Sequence, residues 1–275
     1  MTTIFWCEDS LDGILTGIYD AWDSRLGHKN VRLKTDAADS LELFCEYRQV
    51  ETDTLKAEKV LRTIRQKLGE EAFEAVCYAA ACTDSKRADA IYRMVVLGLH
   101  MMNGHQVVNC LQDPDVSLVM RLRTKAWHEA HRYMGFVRFE ELENGVLYST
   151  IEPAYAVLPL LAPHFSDRFQ QENWVIHDKK RSIMAVHPKG SLWVLADAKE
   201  LNPDYLMRRS GQEKEFQELW KLFCKTIAIE ERRNPRCQQG LLPLRFRSCM
   251  TEFRQERDEL GGKQGGEISR KDKVR

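Results

Sequence analysis

The sequence predicts an α+β fold: a helical section packed with an antiparallel β-meander or hairpin sheet, with a closing C-terminal helix. Three observations carry that expectation. Apolar residues recur at helical spacing from about residue 53 to residue 133. After residue 135 the period becomes two, and near residue 213 it returns to helical. With 275 residues and 43% apolar content, the chain can bury a sizeable core, and residues 1–253 are expected to form a single domain.

Taken in order, "TIFWCED" reads as a short strand, followed by a helix on which Leu11, Ile14, Leu15, Ile18 and Trp22 share a face behind the N-cap Ser10. "LELFCEYRQVET", residues 41–52, alternates as a second strand. Ala57, Val60, Leu61, Ile64 and Leu68 mark an amphipathic helix, and "EAFEAVCYAAAC" marks another. "ADAIYRMVVLGLHMM", residues 88–102, is apolar nearly all round, which predicts a central buried helix with His100 as a satisfied core histidine. Asp113-Pro114 opens the next helix as N-cap and first residue, with Val119, Leu122, Ala126 and Ala130 inward and Trp127 and Tyr133 also expected to face the core.

Asn144-Gly145 between alternating flanks predicts a hairpin with a type I′ turn. "NWVIHDKKRSIMAVHPKGSLWVLAD" reads as three short strands, and "YAVLPLLAPHFSDRF" as an apolar run cut by Pro159 and Pro163, ending in a proline-bounded loop. Phe216, Leu219, Trp220 and Phe223 mark the closing helix, and residues 254–275 form a charged tail without apolar periodicity, expected to be disordered.

Formal net charge is zero, so any nucleic-acid contact has to be local. Two basic features stand out. Arg121, Lys125, His128 and Arg132 line one helix face at a pitch suited to tracking a phosphate backbone, although a solvated face has the same pattern. Residues 227–249 hold Arg232, Arg233, Arg236, Arg245 and Arg247 with no acidic residue after Glu231. Arginine suits bidentate contact with phosphate or carboxylate. In "HFSDRF", His164 beside Asp167 offers an acid-base pair and Arg168 an anion ligand; the alternative is a helix cap with Asp167 in an ion pair. His177 and Asp178, adjacent on a strand, point to opposite faces and form no dyad.

Eight scattered cysteines without metal-ligand spacing fit a reduced, cytoplasmic protein. No secretory signal, membrane-spanning run, nucleophile motif, Gly-rich phosphate loop or HExxH pattern is present, so neither metal nor cofactor is expected.

"SLDGILTGIYDAW", "EAHRYMGFVRFEELENGVLYSTIEPAYAVLPLLAPHFSDRF", "WVIHDKKR" and "TIAIEERRNPRCQQGLLPLRF" together resemble a bacterial family associated with DNA metabolism and DNA repair, a domain of unknown function. Its members occur beside radical-SAM proteins of photoproduct-lyase type, and some are fused to uracil-DNA glycosylases. The matching positions are Glu129, His131, Arg132, Arg138, Glu152, His164, Asp167, Arg168, Asp178, Arg181, Arg232, Arg233, Asn234, Pro235 and Gln238. Leu242, Leu244 and Arg247 depart from the family pattern, Arg247 standing where tryptophan is usual.

The resemblance implies a DNA-binding or accessory protein, with DNA, single-stranded or damaged, and a radical-SAM repair protein or uracil-DNA glycosylase module as partners, and no membrane. Arg121, Lys125, Arg132, Arg138, Arg168, Arg232, Arg233, Asn234 and Arg236 are then the candidate anion ligands. An enzyme acting on nucleic acid or nucleotides would instead use His164 or His131 as acid or base, with Glu152 and Asp167 near them and the arginines as a phosphate clamp. A protein-protein adaptor is the third reading.

Overall fold

A computed structural model describes residues 2–35, 42–198 and 208–253. The fold is α+β, built on a three-stranded parallel sheet and a mixed five-stranded sheet. Contacts divide the chain into two compact units, Met1–His131 with Pro153–Leu160, and Arg132–Glu152 with Leu161–Arg275. The expected tail, 254–275, lies outside the described residues.

In the first unit, strands β1 (Thr2–Trp6), β2 (Val31–Lys34) and β3 (Cys45–Gln49) form a parallel sheet in the order β2-β1-β3. Thr3, Ile4 and Phe5 are buried in succession, the pattern of a central strand covered on both faces. The β2 strand was not expected: its only signal is the four-residue alternation of buried Val31 and Leu33. Helix α1 (Leu11–Asp23) opens on Ser10 as predicted, whose Oγ accepts from the Gly13 amide at 3.0 Å. Gly17 lets α1 lie close against the strand end, because a Cβ there would stand 2.2 Å from Cys7 Sγ. Burial pushes that thiol up to about 12.

Helices α2 (Thr54–Leu68), α3 (Glu70–Ala80) and α4 (Arg87–His100) follow where the periodicity places them. Ala57, Ile64 and Leu68 form the buried face of α2, and α4 buries Ala88, Ile91, Tyr92, Met94 and Val95. His100 departs from expectation. It stands at the exposed end of α4, its Nδ1 2.7 Å from the Val96 carbonyl, because the helix leaves the core within its last turn.

Helix α5 (Pro114–Phe136) begins on Asp113, whose Oδ1 accepts from the Asp115 and Val116 amides. Val119, Leu122, Ala126 and Ala130 are buried, as is Tyr133. Trp127 instead faces solvent, stacked on His131 one turn later at 4.9 Å, so it belongs to the polar side of α5. Arg87 had no sequence signal. It is fully buried, donating to the Ala80 and Asp84 carbonyls at 3.3 and 2.9 Å and pairing with Asp9. It thereby satisfies a carbonyl at the end of α3, where the helix supplies no donor.

The second unit holds β4 (Glu140–Glu141), β5 (Leu147–Ile151), β6 (Trp174–Asp178), β7 (Ile183–His187) and β8 (Val194–Asp197), in that spatial order. The expected hairpin joins β4 to β5, but its turn is not type I′. Gly145 takes the left-handed conformation, at φ 76°, and Asn144 does not. Leu142 accepts from Gly145 N, and its own amide bonds the Val146 carbonyl, giving a longer loop.

The β5–β6 pair is parallel, so the sheet is not an antiparallel meander throughout. A parallel neighbour needs a crossover, and residues 152–173 supply it with helix α6 (Leu158–Arg168). The proline-bounded stretch is therefore helical and not a loop. Pro159 sits in the first turn, where its missing N–H costs nothing, and only Pro163 interrupts the ladder. His164, Asp167 and Arg168 consequently project from a helix. The strands β6, β7 and β8 form the expected hairpins. Asp178, fully buried, accepts from the Lys180 and Arg181 amides and pairs with Arg181 at 3.0 Å, closing the β6–β7 turn. His177 lies on the opposite strand face, as predicted, bonded to Tyr148 Oη at 2.9 Å.

Among the described residues, helices α7 (Gly211–Thr226) and α8 (Pro235–Leu241) follow. Asn234 caps α8 by accepting from Cys237 N at 3.0 Å, with Pro235 at the first helical position. No described helix is long and apolar enough to cross a membrane.

Replacing Arg87 with Met should lower the unfolding free energy by about 2–3 kcal/mol, because buried carbonyls lose their donors. Asp9→Asn should cost less than about 1 kcal/mol, since Asp9 is largely exposed. Urea unfolding of both variants checks this, and equal losses would contradict it.

Candidate functional site

The second unit contains a groove of about 590 Å3, lined by residues from α5, the segment leading into β4, β5, α6 and α7. Its floor is an aromatic cluster continuous with the core. Phe139 packs edge-on against Phe165 at 5.3 Å and Phe169 at 5.4 Å, and Phe165 lies 6.5 Å from the buried Trp174. From α7, Phe216 and Trp220 form the opposite wall. Both are exposed, so their rings are open to a ligand.

Two arginines frame these rings. Arg168, at the end of α6, is exposed and carries its guanidinium 5.6 Å from the Phe169 ring centroid. Arg138 lies 5.7 Å from the Trp220 centroid, donates to the Gly135 carbonyl at 2.9 Å and pairs with Glu252 at 3.4 Å. The Gly135 carbonyl belongs to the last turn of α5, where helix carbonyls lack intrahelical donors, and that contact orients the Arg138 side chain.

The α7 wall is held at its first turn. Ser210 caps the helix by accepting from Glu213 N at 3.1 Å, and Ser210 N donates to the Glu141 carbonyl at 3.0 Å. Glu213 is the sole buried residue of α7, and its carboxylate accepts from the Glu141 amide at 3.0 Å and from Gln217 Nε2 at 2.7 Å. An ion pair between Arg209 and buried Glu140 adds to this junction.

Of the predicted residues, the structure brings Arg138 and Arg168 together in this groove. Glu152 and Asp167 are exposed, and the His164 ring meets Phe165 edge-on at 5.1 Å; none of the three lines the groove. His131 is exposed on α5, stacked on Trp127. Lys125 and His128 are exposed, and Arg121 lines a cavity with Asp84, Lys86 and Asp115. Arg132 is half-buried, 5.8 Å from the Phe246 ring. Arg232, Arg233 and Arg236 are exposed in a stretch, 225–241, that is exposed throughout; Arg233 pairs with Glu230 at 3.7 Å. Glu129 has a structural role, its buried carboxylate accepting from the Ala154 and Tyr155 amides at 3.1 and 2.9 Å.

The groove's aromatic residues Phe139, Phe169, Phe216 and Trp220 were not singled out for function from the sequence. One signal was available: both groove arginines are followed directly by phenylalanine, in "VRFE" and "DRFQ".

The first unit has a smaller cavity of about 360 Å3 between α1, α2 and α4, lined by Ile18, Trp22, Lys59, Ile64 and Leu99 among others. Beside it, His28 bonds Tyr92 Oη at 2.7 Å and meets His100 edge-on at 5.6 Å. Burial lowers the His28 pKa, and His100 and Arg93 lower it further.

The family model for a domain of unknown function, DUF4130, matches residues 85–252, more than half of the chain, and the chain belongs to that family. The matched stretch includes every residue lining the groove. No curated protein matches the chain.

Glu213→Ala should leave the Glu141 amide without its acceptor and release the start of α7, a loss of about 1–2 kcal/mol confined to that junction. Hydrogen exchange should then speed up at Glu141 and through α7 while the amides of β6 and β7 keep their protection. Unchanged exchange in α7 would contradict this role.

Proposed function

We propose that this chain binds single-stranded or damaged DNA in the groove of its second unit, as an accessory protein of DNA repair or DNA metabolism. The observation that carries the reading is the placing of Arg138 and Arg168 beside the rings of Trp220 and Phe169 along one open groove. Unpaired bases present faces that stack on aromatic side chains, and the flanking phosphates meet guanidinium groups. A neutral chain suits a role in which a local groove, and not the global field, holds the strand. The exposed Lys125, His128 and Trp127 on α5 offer a second set of contacts of the same kind. The resemblance to proteins encoded beside radical-SAM enzymes or fused to uracil-DNA glycosylases supports such an enzyme as the partner that carries out the chemistry.

The reading is tested by fluorescence anisotropy with a labelled oligothymidine between about 50 and 200 mM salt, where log K should fall with log salt by about 0.7 per phosphate contacted. Arg138→Gln and Arg168→Gln should each weaken binding and flatten that slope. Trp220→Ala should cost about 1–3 kcal/mol of binding with the slope unchanged. Affinity indifferent to all three substitutions, or no binding at low salt, would sink the proposal.

A further inference from the structure

Two histidines far apart in sequence meet in the first unit. His28 opens the short turn His28–Asn30 between α1 and β2, and His100 ends α4. Their ring centroids stand 5.6 Å apart, with planes at 86°. Two imidazoles sharing one ion at metal–nitrogen distances of about 2 Å have ring centres about 5–6 Å apart. Each ring is also fixed through its other nitrogen. His100 Nδ1 lies 2.7 Å from the Val96 carbonyl, which can only accept, so Nδ1 carries the proton and Nε2 keeps its lone pair. His28 Nδ1 lies 2.7 Å from the hydroxyl of the fully buried Tyr92, which can accept as well as donate. Among the described residues, nothing bonds either Nε2.

Histidines that ligate metals are oriented in this way, by a bond from the second ring nitrogen to an acceptor, which sets the tautomer and aims the first nitrogen at the ion. The backbone of the turn is held as well. Arg93 donates to the His28 and Val31 carbonyls, and its charge is offset by Asp89 at 3.4 Å. Neutral imidazole donors select zinc, copper or nickel over magnesium or calcium, which take oxygen ligands. We propose that His28 and His100 bind one divalent transition-metal ion of the zinc class through their Nε2 atoms. Among the described residues no group of three or more His, Cys, Asp or Glu is gathered to hold a metal, so water fills the other positions and the ion is exchangeable. His100 is exposed and His28 half-buried, which leaves room for that water. The ion ties the α1–β2 connection to the end of α4. Because the Trp22 ring lies 4.6 Å from His28 and lines the 360 Å3 cavity, it also braces one wall of that cavity.

Titration of the untagged full chain with Ni(II) from about 1 to about 100 μM, followed by calorimetry and by tryptophan fluorescence, tests the proposal over the micromolar range. The expected result is saturation at one ion per chain, with fluorescence quenched by the paramagnetic ion beside Trp22 and recovered when Zn(II) displaces it. His100→Gln, at an exposed helix end, should weaken binding at least about tenfold. Tyr92→Phe, which keeps the ring and removes only the acceptor behind His28, should weaken it by about tenfold. Trp22→Phe should abolish most of the quenching while the calorimetric affinity stays the same, which separates this pair from Trp127 with His128 and His131 on α5. No saturable binding by 100 μM overturns the proposal. So does an affinity unchanged by His100→Gln, or quenching that survives Trp22→Phe.

Discussion

The carboxylate of Glu213, accepting from the backbone amide of Glu141, is the contact that fixes the start of α7 and so places the α7 wall of the groove. The hairpin edge strand β4 is two residues long and would leave its outer amide to solvent. Glu213 takes that amide, Ser210 N donates to the Glu141 carbonyl, and the Ser210 hydroxyl caps the helix N-terminus by accepting from Glu213 N. One short polar junction thus ends a sheet edge and starts a helix. With only that turn of α7 holding a buried residue, its rings Phe216 and Trp220 remain available to line the groove.

The chemistry of the groove follows from the company its arginines keep. Arg138 is held by a helix-end carbonyl and by Glu252, which restricts its rotamers before any ligand arrives. Arg168 is exposed and shields one face of Phe169. A guanidinium beside an aromatic ring offers a strand both of the contacts it needs, charge for the phosphate and a flat apolar surface for the base. The acid-base residues suggested by the sequence lie elsewhere: Glu152 and Asp167 are exposed and His164 faces Phe165.

Much of the fold was legible because local chemistry encodes it. Ser10 and Asp113 announce their helices through side-chain oxygens that accept backbone amides, and Asn144-Gly145 announces a reversal. Pairing direction was not legible. The alternation of β5 and β6 is the same whether they run parallel or antiparallel, and only the intervening length of chain, read with α6 in it, distinguishes the two. Prolines concealed α6 because their cost depends on position within the helix, which the sequence shows only once the helix start is known. At the site, arginine stood out by charge, whereas Phe139 and Phe169 carry no charge or motif that marks them. Burial of one ring face and exposure of another is a tertiary property. The structural roles of Arg87 and Glu129 were hidden for a like reason, since both bond backbone groups that no residue identity reveals.

The most direct test of the groove as a nucleic-acid site is photo-cross-linking with a bromouracil-substituted single strand, followed by peptide mass spectrometry. The account predicts adducts on Phe139, Phe169 or Trp220, lost when unlabelled single strand competes. Adducts confined to α5 around Trp127, or to the exposed stretch around Arg232 and Arg236, would contradict it.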